Sequence, residues 1–241
     1  MTGTQHDCAS HRQAGSIVLR KRIRSALAST DFEKALDELG LPPSKLINPL
    51  LSFLYETDET IRWRAVRAVG ITVARMAENV PEEARRIMRR LMWSLNDESG
   101  GIGWGAPEAM GEIMAESALL AGEYYRILIS YVDEEGNLLE HDALEKGALW
   151  GIGRLARVRP ELVQPWIHVL LKQLRSADPS RRALGLRILA SLMPDGAAAP
   201  LISLLTQDDS EVRIYDDGEF KTFRILDLAS KVLERVGNPA A

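Results

Sequence analysis

Cysteine is nearly absent from this 241-residue chain. The lone Cys8 has no partner for an intrachain disulfide, which excludes a stapled secreted scaffold and suits a reducing cytoplasm. No apolar run approaches the ~20 residues a membrane helix needs, so no span is expected. The first fifteen residues lack the apolar core of a signal peptide, and export is not expected. They are read as a flexible tail (1–15) ahead of a single domain over 16–241, in a cytoplasmic protein. Runs of β-branched residues are scarce while leucine and alanine abound, which favours helix over sheet.

Basic charge is what the middle of the chain lacks. Residues 96–147 hold 2 Lys and Arg against 12 Asp and Glu, whereas 1–95 hold 15 against 11 and 148–241 hold 13 against 11. A protein that wrapped nucleic acid along its length would need positive charge where this chain is most acidic, so nucleic acid is not the expected partner.

What the sequence does contain is an internal repeat. Asp58 opens a segment in which Ile61, Ala65, Ala68 and Val69 follow at helical spacing and Gly70 closes the pattern. The pattern returns from Asp178 to Ala190, and its opening returns at Asp209 to Arg213. At an offset of 41 residues, Ile102, Trp104, Ala106, Ala109, Met110 and Gly111 match Ile61, Trp63, Ala65, Ala68, Val69 and Gly70. Leu144, Ala148, Ile152 and Leu155 supply another copy. Each such helix follows an amphipathic one, over 46–55, 84–95, 122–131, 162–175 and 198–206. Pro42, Pro43, Pro81, Pro160, Pro179 and Pro194 sit at segment edges, where proline starts or stops a helix without breaking it. Segments 17–27 and 31–39 read as a capping pair, needed because an end repeat would otherwise leave its apolar face in water. The predicted fold is all-α, a superhelix of about five helix pairs of roughly 40 residues each.

The three openings Asp58 to Arg62, Asp178 to Arg182 and Asp209 to Arg213 resemble the HEAT-like repeats first named from phycobilisome (PBS) lyases, over roughly residues 44–236. That resemblance implies a right-handed HEAT/armadillo-like solenoid with first helices outside and second helices inside. It also implies that the acidic residue opens the second helix and that the arginine four positions on links neighbouring repeats. It does not imply lyase activity, because such repeats serve many roles.

Three copies depart from the template in the turn between first and second helix. Copy two has four glycines around Trp104 in 96–105, copy three stretches the turn over 133–141, and copy five inserts 214–221. A solenoid would align all three on one rim, where such folds bind. Trp63, Trp104 and Trp150 are large for a repeat packed by alanine and leucine. Either they are ordinary packing or, flanked by Glu108, Glu140, His141 and Arg154, they form an inner wall able to grip a planar ligand or a peptide. His141 beside Glu140 could pass a proton, or be structural.

Glu108, Glu112 and Glu116 lie at i, i+4 and i+8 on one helix. The 41-residue offset sets Glu108 opposite Arg67 and Glu116 opposite Arg75, with Glu112 near Arg154, which points to ion pairs between repeats; the sharper alternative is that these carboxylates, Glu108 and Glu112 among them, bind a partner or substrate on the concave face or act as acid and base. Arg85, Arg86, Arg89 and Arg90 read as a solvated outer face. The glycine-rich run lacks the ending and the preceding strand of a phosphate loop. His6, Cys8 and His11 are too few for a metal site, and no metal or cofactor is expected. No nucleophile stands next to a base. The reading is a non-enzymatic scaffold that holds a basic or aromatic-rich protein or peptide on the rim and concave face. The alternatives are a bilin-lyase-like chromophore-attachment factor and a DNA base-excision protein of HEAT-like fold.

Overall fold

The computed structural model describes residues 4–96, 103–192, 194 and 196–237, with side chains from residue 16 onward. Two helices at the start, α1 (Thr4–Ala28) and α2 (Phe32–Asp37), form the predicted end pair. Arg64 ties this cap to the first repeat by donating from Nη1 to the Leu27 and Ser29 carbonyls, 2.8 Å each. The outer row then runs through α3 (Pro43–Phe53), α5 (Pro81–Leu95) and α7 (Ala118–Ser130). The inner row runs through α4 (Glu59–Asn79), α6 (Ala106–Glu116), α8 (Asp142–Val158) and α11 (Pro179–Leu189). Each inner helix packs on the next inner helix. Buried apolar side chains form one continuous cluster from Ile23 to Val232.

The repeated apolar stripe is what makes this stack. Ile61, Ala65, Ala68 and Val69, then Ala106, Ala109 and Met110, then Leu144, Ala148, Ile152 and Leu155 are all buried. Between them the inner helices approach closely at glycine. A Cβ placed on Gly70 would lie 2.7 Å from the Glu112 Cβ, and one on Gly111 would lie 2.3 Å from the Gly151 Cα. Asp58 caps α4 by accepting from the backbone N–H groups of Thr60 and Ile61 at 3.0 and 3.2 Å. Asp178 caps α11 by accepting from Ser180 N–H at 2.7 Å. Asp58→Ala is expected to destabilise the chain by about 1 kcal/mol, the usual cost of an aspartate N-cap, read as a lower urea midpoint with an unchanged slope.

The fold departs from the sequence-based outline in three places. The fourth outer helix is broken into α9 (Pro160–Val163), a 3-10 turn at Gln164–Trp166 and α10 (Ile167–Gln173). Pro165 has no N–H to continue the helical ladder, which accounts for the break. In copy two the inner helix begins only at Ala106, behind Gly105 in the left-handed region (φ 74). Ile102 and most of the glycine-rich turn lie outside the described residues, as do the side chains of His6, Cys8 and His11. Copy five departs most. After α12 (Ala199–Leu204), Asp209 to Arg213 does not open a helix but leads into a β-hairpin. Strand β1 (Glu211–Asp216) pairs antiparallel with β2 (Glu219–Arg224), Val212 opposite Phe223 and Tyr215 opposite Phe220. The final helix, α13 (Ile225–Gly237), follows and packs on α11. The expected helical solenoid is what forms, and it carries one two-stranded insert that the sequence outline did not contain.

Candidate functional site

Trp63 sits on α4 and Trp150 on α8, two repeats apart, yet their ring centroids are 4.6 Å apart. Side chains from helices separated by α6 meet this way only across an inward-curving face. The hairpin lies on that face. Tyr215 stacks on Trp63 with ring centroids 4.8 Å apart and planes 13° from parallel. The Trp150 Nε1–H donates to the Tyr215 carbonyl at 2.8 Å. Charged contacts fix both ends of the hairpin. Arg213 reaches Glu59 at 2.8 Å, and Arg157 holds Asp216 and Asp217 at 3.0 and 2.9 Å. Arg187 also bonds Asp216 and lies 4.6 Å from the Phe223 ring centroid. The inner face thus grips an extended stretch of the chain itself through one stacked ring, one indole-to-carbonyl bond and flanking ion pairs.

The acidic stripe pairs between repeats, with Glu112 on Arg154 as the offset predicts and Arg67 one helical turn from its expected partner. Glu112, 4% exposed, accepts from Arg67 at 3.0 Å and from Arg154 at 3.2 Å. Glu116 binds the same two arginines, at 3.0 Å from Arg154. Arg75 turns instead to Asp37 on α2, whose carboxyl it holds below the usual range through their hydrogen bond. The expected Glu108–Arg67 and Glu116–Arg75 pairs are therefore corrected, while the expected Glu112–Arg154 pair is present: the inner helices lie nearly level, Gly70 against Glu112 and Gly111 against Gly151, and the long Arg67 side chain reaches about one turn onward. Much of the acidic middle segment is neutralised in the same way. Glu123 pairs with Arg85 at 2.6 Å, Glu145 with Arg181 at 2.6 Å, and Asp142 with Lys146 at 2.6 Å and Arg181 at 3.0 Å. The basic run of α5 is not simply solvated, since Arg85, Arg86 and Arg89 all hold carboxylates.

Three of the residues singled out from the sequence gather at the rim beside the hairpin. Trp104, 36% exposed, meets His141 edge to face with centroids 5.3 Å apart. His141 is the N-cap residue of α8, and Glu140 next to it is exposed. No hydrogen bond joins His141 to Glu140 among the described residues. Beneath them opens a cavity of about 280 Å³, lined among others by Trp63, Trp104, Glu108, Lys146, Trp150 and Phe220. Glu108, in the first turn of α6, has an Oε2 closed to solvent and no hydrogen-bond partner. Burial pushes its carboxyl up to about 7, against the pull of Arg62. A second cavity of about 340 Å³ lies farther along the face, and each of its arginines, Arg67, Arg154, Arg157 and Arg187, already holds a carboxylate. No cluster with a metal's ligand set occurs among the described residues, and none of their helices is long and apolar enough to cross a membrane.

No family model matches the chain. Over 195 residues, 80% of this chain and 97% of the other, it is 30% identical to an uncharacterized protein of Archaeoglobus fulgidus. The chain belongs to that protein's family. Among solved structures it is similar to computationally designed armadillo repeat proteins for modular peptide recognition, with a TM-score of 0.53, 19% identity, and 92% of this chain and 93% of that one covered. It is also similar to a designed armadillo repeat protein in complex with the peptide (KR)4, with a TM-score of 0.50, 19% identity, and 90% and 99% covered. At such identities the likeness shows a HEAT/armadillo-type solenoid and nothing more specific.

Proposed function

We propose that this protein is a non-enzymatic binding module whose curved inner face and rim hold an extended segment of a protein partner. The observation that carries the reading is the grip of Trp63 and Trp150 on the backbone around Tyr215. Side chains that stack on one ring and donate to one main-chain carbonyl suit an extended segment of varied sequence, since the backbone carries half of the recognition. The hairpin takes up Trp63, Trp150, Arg157 and Arg187, so the open part of the surface is the rim of Trp104, Glu140 and His141 above the cavity that holds Glu108. Peptide recognition by solenoids of similar fold supports a peptide as the ligand. A basic or aromatic segment fits best, because Glu108 and Glu140 are acidic groups that no described arginine or lysine takes up. Asp178 as cap and Arg182, which reaches Asp208 of the next repeat at 2.7 Å, support the PBS-lyase HEAT-like type of repeat in a single domain over 16–241.

The test is a selection of random peptides on the folded chain. Peptides that bind this site should lose about 30-fold or more in affinity on Trp104→Ala, the loss typical of a central interface tryptophan. They should be indifferent to Trp93→Ala, since Trp93 lies 77% exposed on the outer helix α5. Selected peptides that bind wild type and Trp104→Ala equally would overturn the site, provided both variants melt alike.

A further inference from the structure

Glu108 carries one carboxyl oxygen, Oε2, that is closed to solvent and has no hydrogen-bond partner. Its carboxylate sits 2.7 Å from where a Cβ on Gly147 would be, so α8 closes over it because residue 147 has no side chain. Three cationic side chains line the same cavity, and each is engaged elsewhere. Lys146 lies between Asp142 at 2.6 Å and Asp178 at 3.1 Å. Arg213 holds Glu59 at 2.8 Å and stands 3.6 Å from the Phe220 ring centroid. Arg62 lies 3.7 Å from Glu59. The remaining walls are aromatic: Trp63, Trp104, Trp150, Tyr215 and Phe220.

Each class of ligand meets this set of groups differently. An anion would face Glu108 and Glu59. A neutral apolar group would leave the Glu108 oxygen buried and unpaired. A cation with N–H donors satisfies that oxygen, and aromatic rings attract it electrostatically, most strongly when water is excluded. A volume of about 280 Å³ is at the small end of ligand cavities, suited to one side chain rather than to a larger molecule.

We propose that this cavity is a binding site for an alkylammonium group, the lysine or methylated lysine side chain of a partner, with Glu108 as its charge partner and Trp63, Trp104 and Trp150 as its walls. The assignment rests on the reading that the partner is a protein segment, and it says which side chain of that segment enters the fold. It also gives a reason for keeping an unpaired carboxyl beneath tryptophans, where leucine would pack without electrostatic cost.

The experiment titrates the full chain with n-butylammonium chloride and, separately, with 1-butanol, following tryptophan emission and heat of binding at pH 8. Butylammonium is expected to bind saturably and at least about tenfold more tightly than the alcohol, a gap set by one charge-assisted hydrogen bond. Glu108→Gln should erase that gap while the protein melts no lower than wild type. Between pH 8 and pH 5.5 the wild-type affinity for the ammonium should fall about tenfold or more as Glu108 takes up a proton. The charged groups facing Glu108 are Glu59 and Arg62 from α4, Lys146 from α8 and Arg213 from the hairpin. Equal affinity for the alcohol and the ammonium, or a preference that survives Glu108→Gln, would overturn the proposal. Peptides that depend on Trp104 but tolerate both Glu108→Gln and replacement of their own lysines would sink this site and leave the wider reading standing. Ammonium binding through Glu108 with no peptide dependent on Trp104 would do the reverse.

Discussion

Alanine at Gly111 is expected to lower the melting temperature by roughly 5–10 °C, while alanine at Gly122 should raise it slightly. Both glycines lie inside helices, and on helix propensity alone each substitution would gain up to about 1 kcal/mol. Their surroundings decide the sign. A Cβ on Gly122 meets nothing within 4 Å, so the propensity gain stands. A Cβ on Gly111 would lie 2.3 Å from the Gly151 Cα and 2.6 Å from the Gly151 carbonyl oxygen. These are backbone atoms of α8, which cannot rotate aside as a side chain can. The two inner helices must separate, and the Gly70 to Glu112 contact on the other flank of α6 limits where α6 can go. Overpacking of this kind costs typically 1–3 kcal/mol and more where backbone must move, which for a chain of this size corresponds to the shift given. Thermal unfolding followed by circular dichroism on the two single variants checks both signs at once. A Gly111→Ala protein that melts with wild type would mean that α6 and α8 do not touch at this point.

That contact also shows which parts of the molecule could be read from sequence. The apolar stripe of the inner helices was legible because helical spacing recurs every forty or so residues, so each copy reinforces the others. The aspartate caps at Asp58 and Asp178 were legible for the same reason. Pairing within the acidic stripe was legible only for Glu112 with Arg154. Offset arithmetic pairs residues at one level, whereas the long Arg67 side chain reaches about one turn onward to Glu112 and Glu116. The hairpin did carry a local signal. Val212 and Ile214 point to one face by alternation, and Asp217 and Gly218, at φ 50 and 91, make the tight turn that Asp-Gly favours between paired strands. The likeness of Asp209 to Arg213 to a helix opening masked it. The three tryptophans stood out from their repeats, but neither the hairpin's seat on two of them nor the unpartnered Oε2 of Glu108 is a property of local sequence. Both depend on which segments the curvature brings together.

Glu108→Gln is expected to stabilise the protein by up to about 3.5 kcal/mol at pH 8 and by little near pH 4.5. The sign follows from where the proton binds more tightly. In the unfolded chain the carboxyl titrates near its ordinary 4.5, and in the fold burial raises it to about 7. A group raised in this way favours the fold below pH 4.5, where it is neutral in both states. That contribution is lost as pH rises from 4.5 to 7, because ionisation is easier in the unfolded chain. At about 1.4 kcal/mol per pH unit, the full difference is reached above pH 7 and stays constant beyond it. Glutamine fills the same space without ionising and escapes the loss. Urea unfolding of wild type and Glu108→Gln at pH 4.5 and pH 8 gives the double difference directly, and a gap equal at both pH values would mean that the carboxyl is hydrated. The same pair of proteins links stability to the ligand. An ammonium that pairs with ionised Glu108 binds the folded state alone and raises wild-type stability with concentration. Saturating butylammonium should therefore narrow the gap to glutamine at pH 8 and leave it unchanged at pH 4.5, where there is no charge to meet.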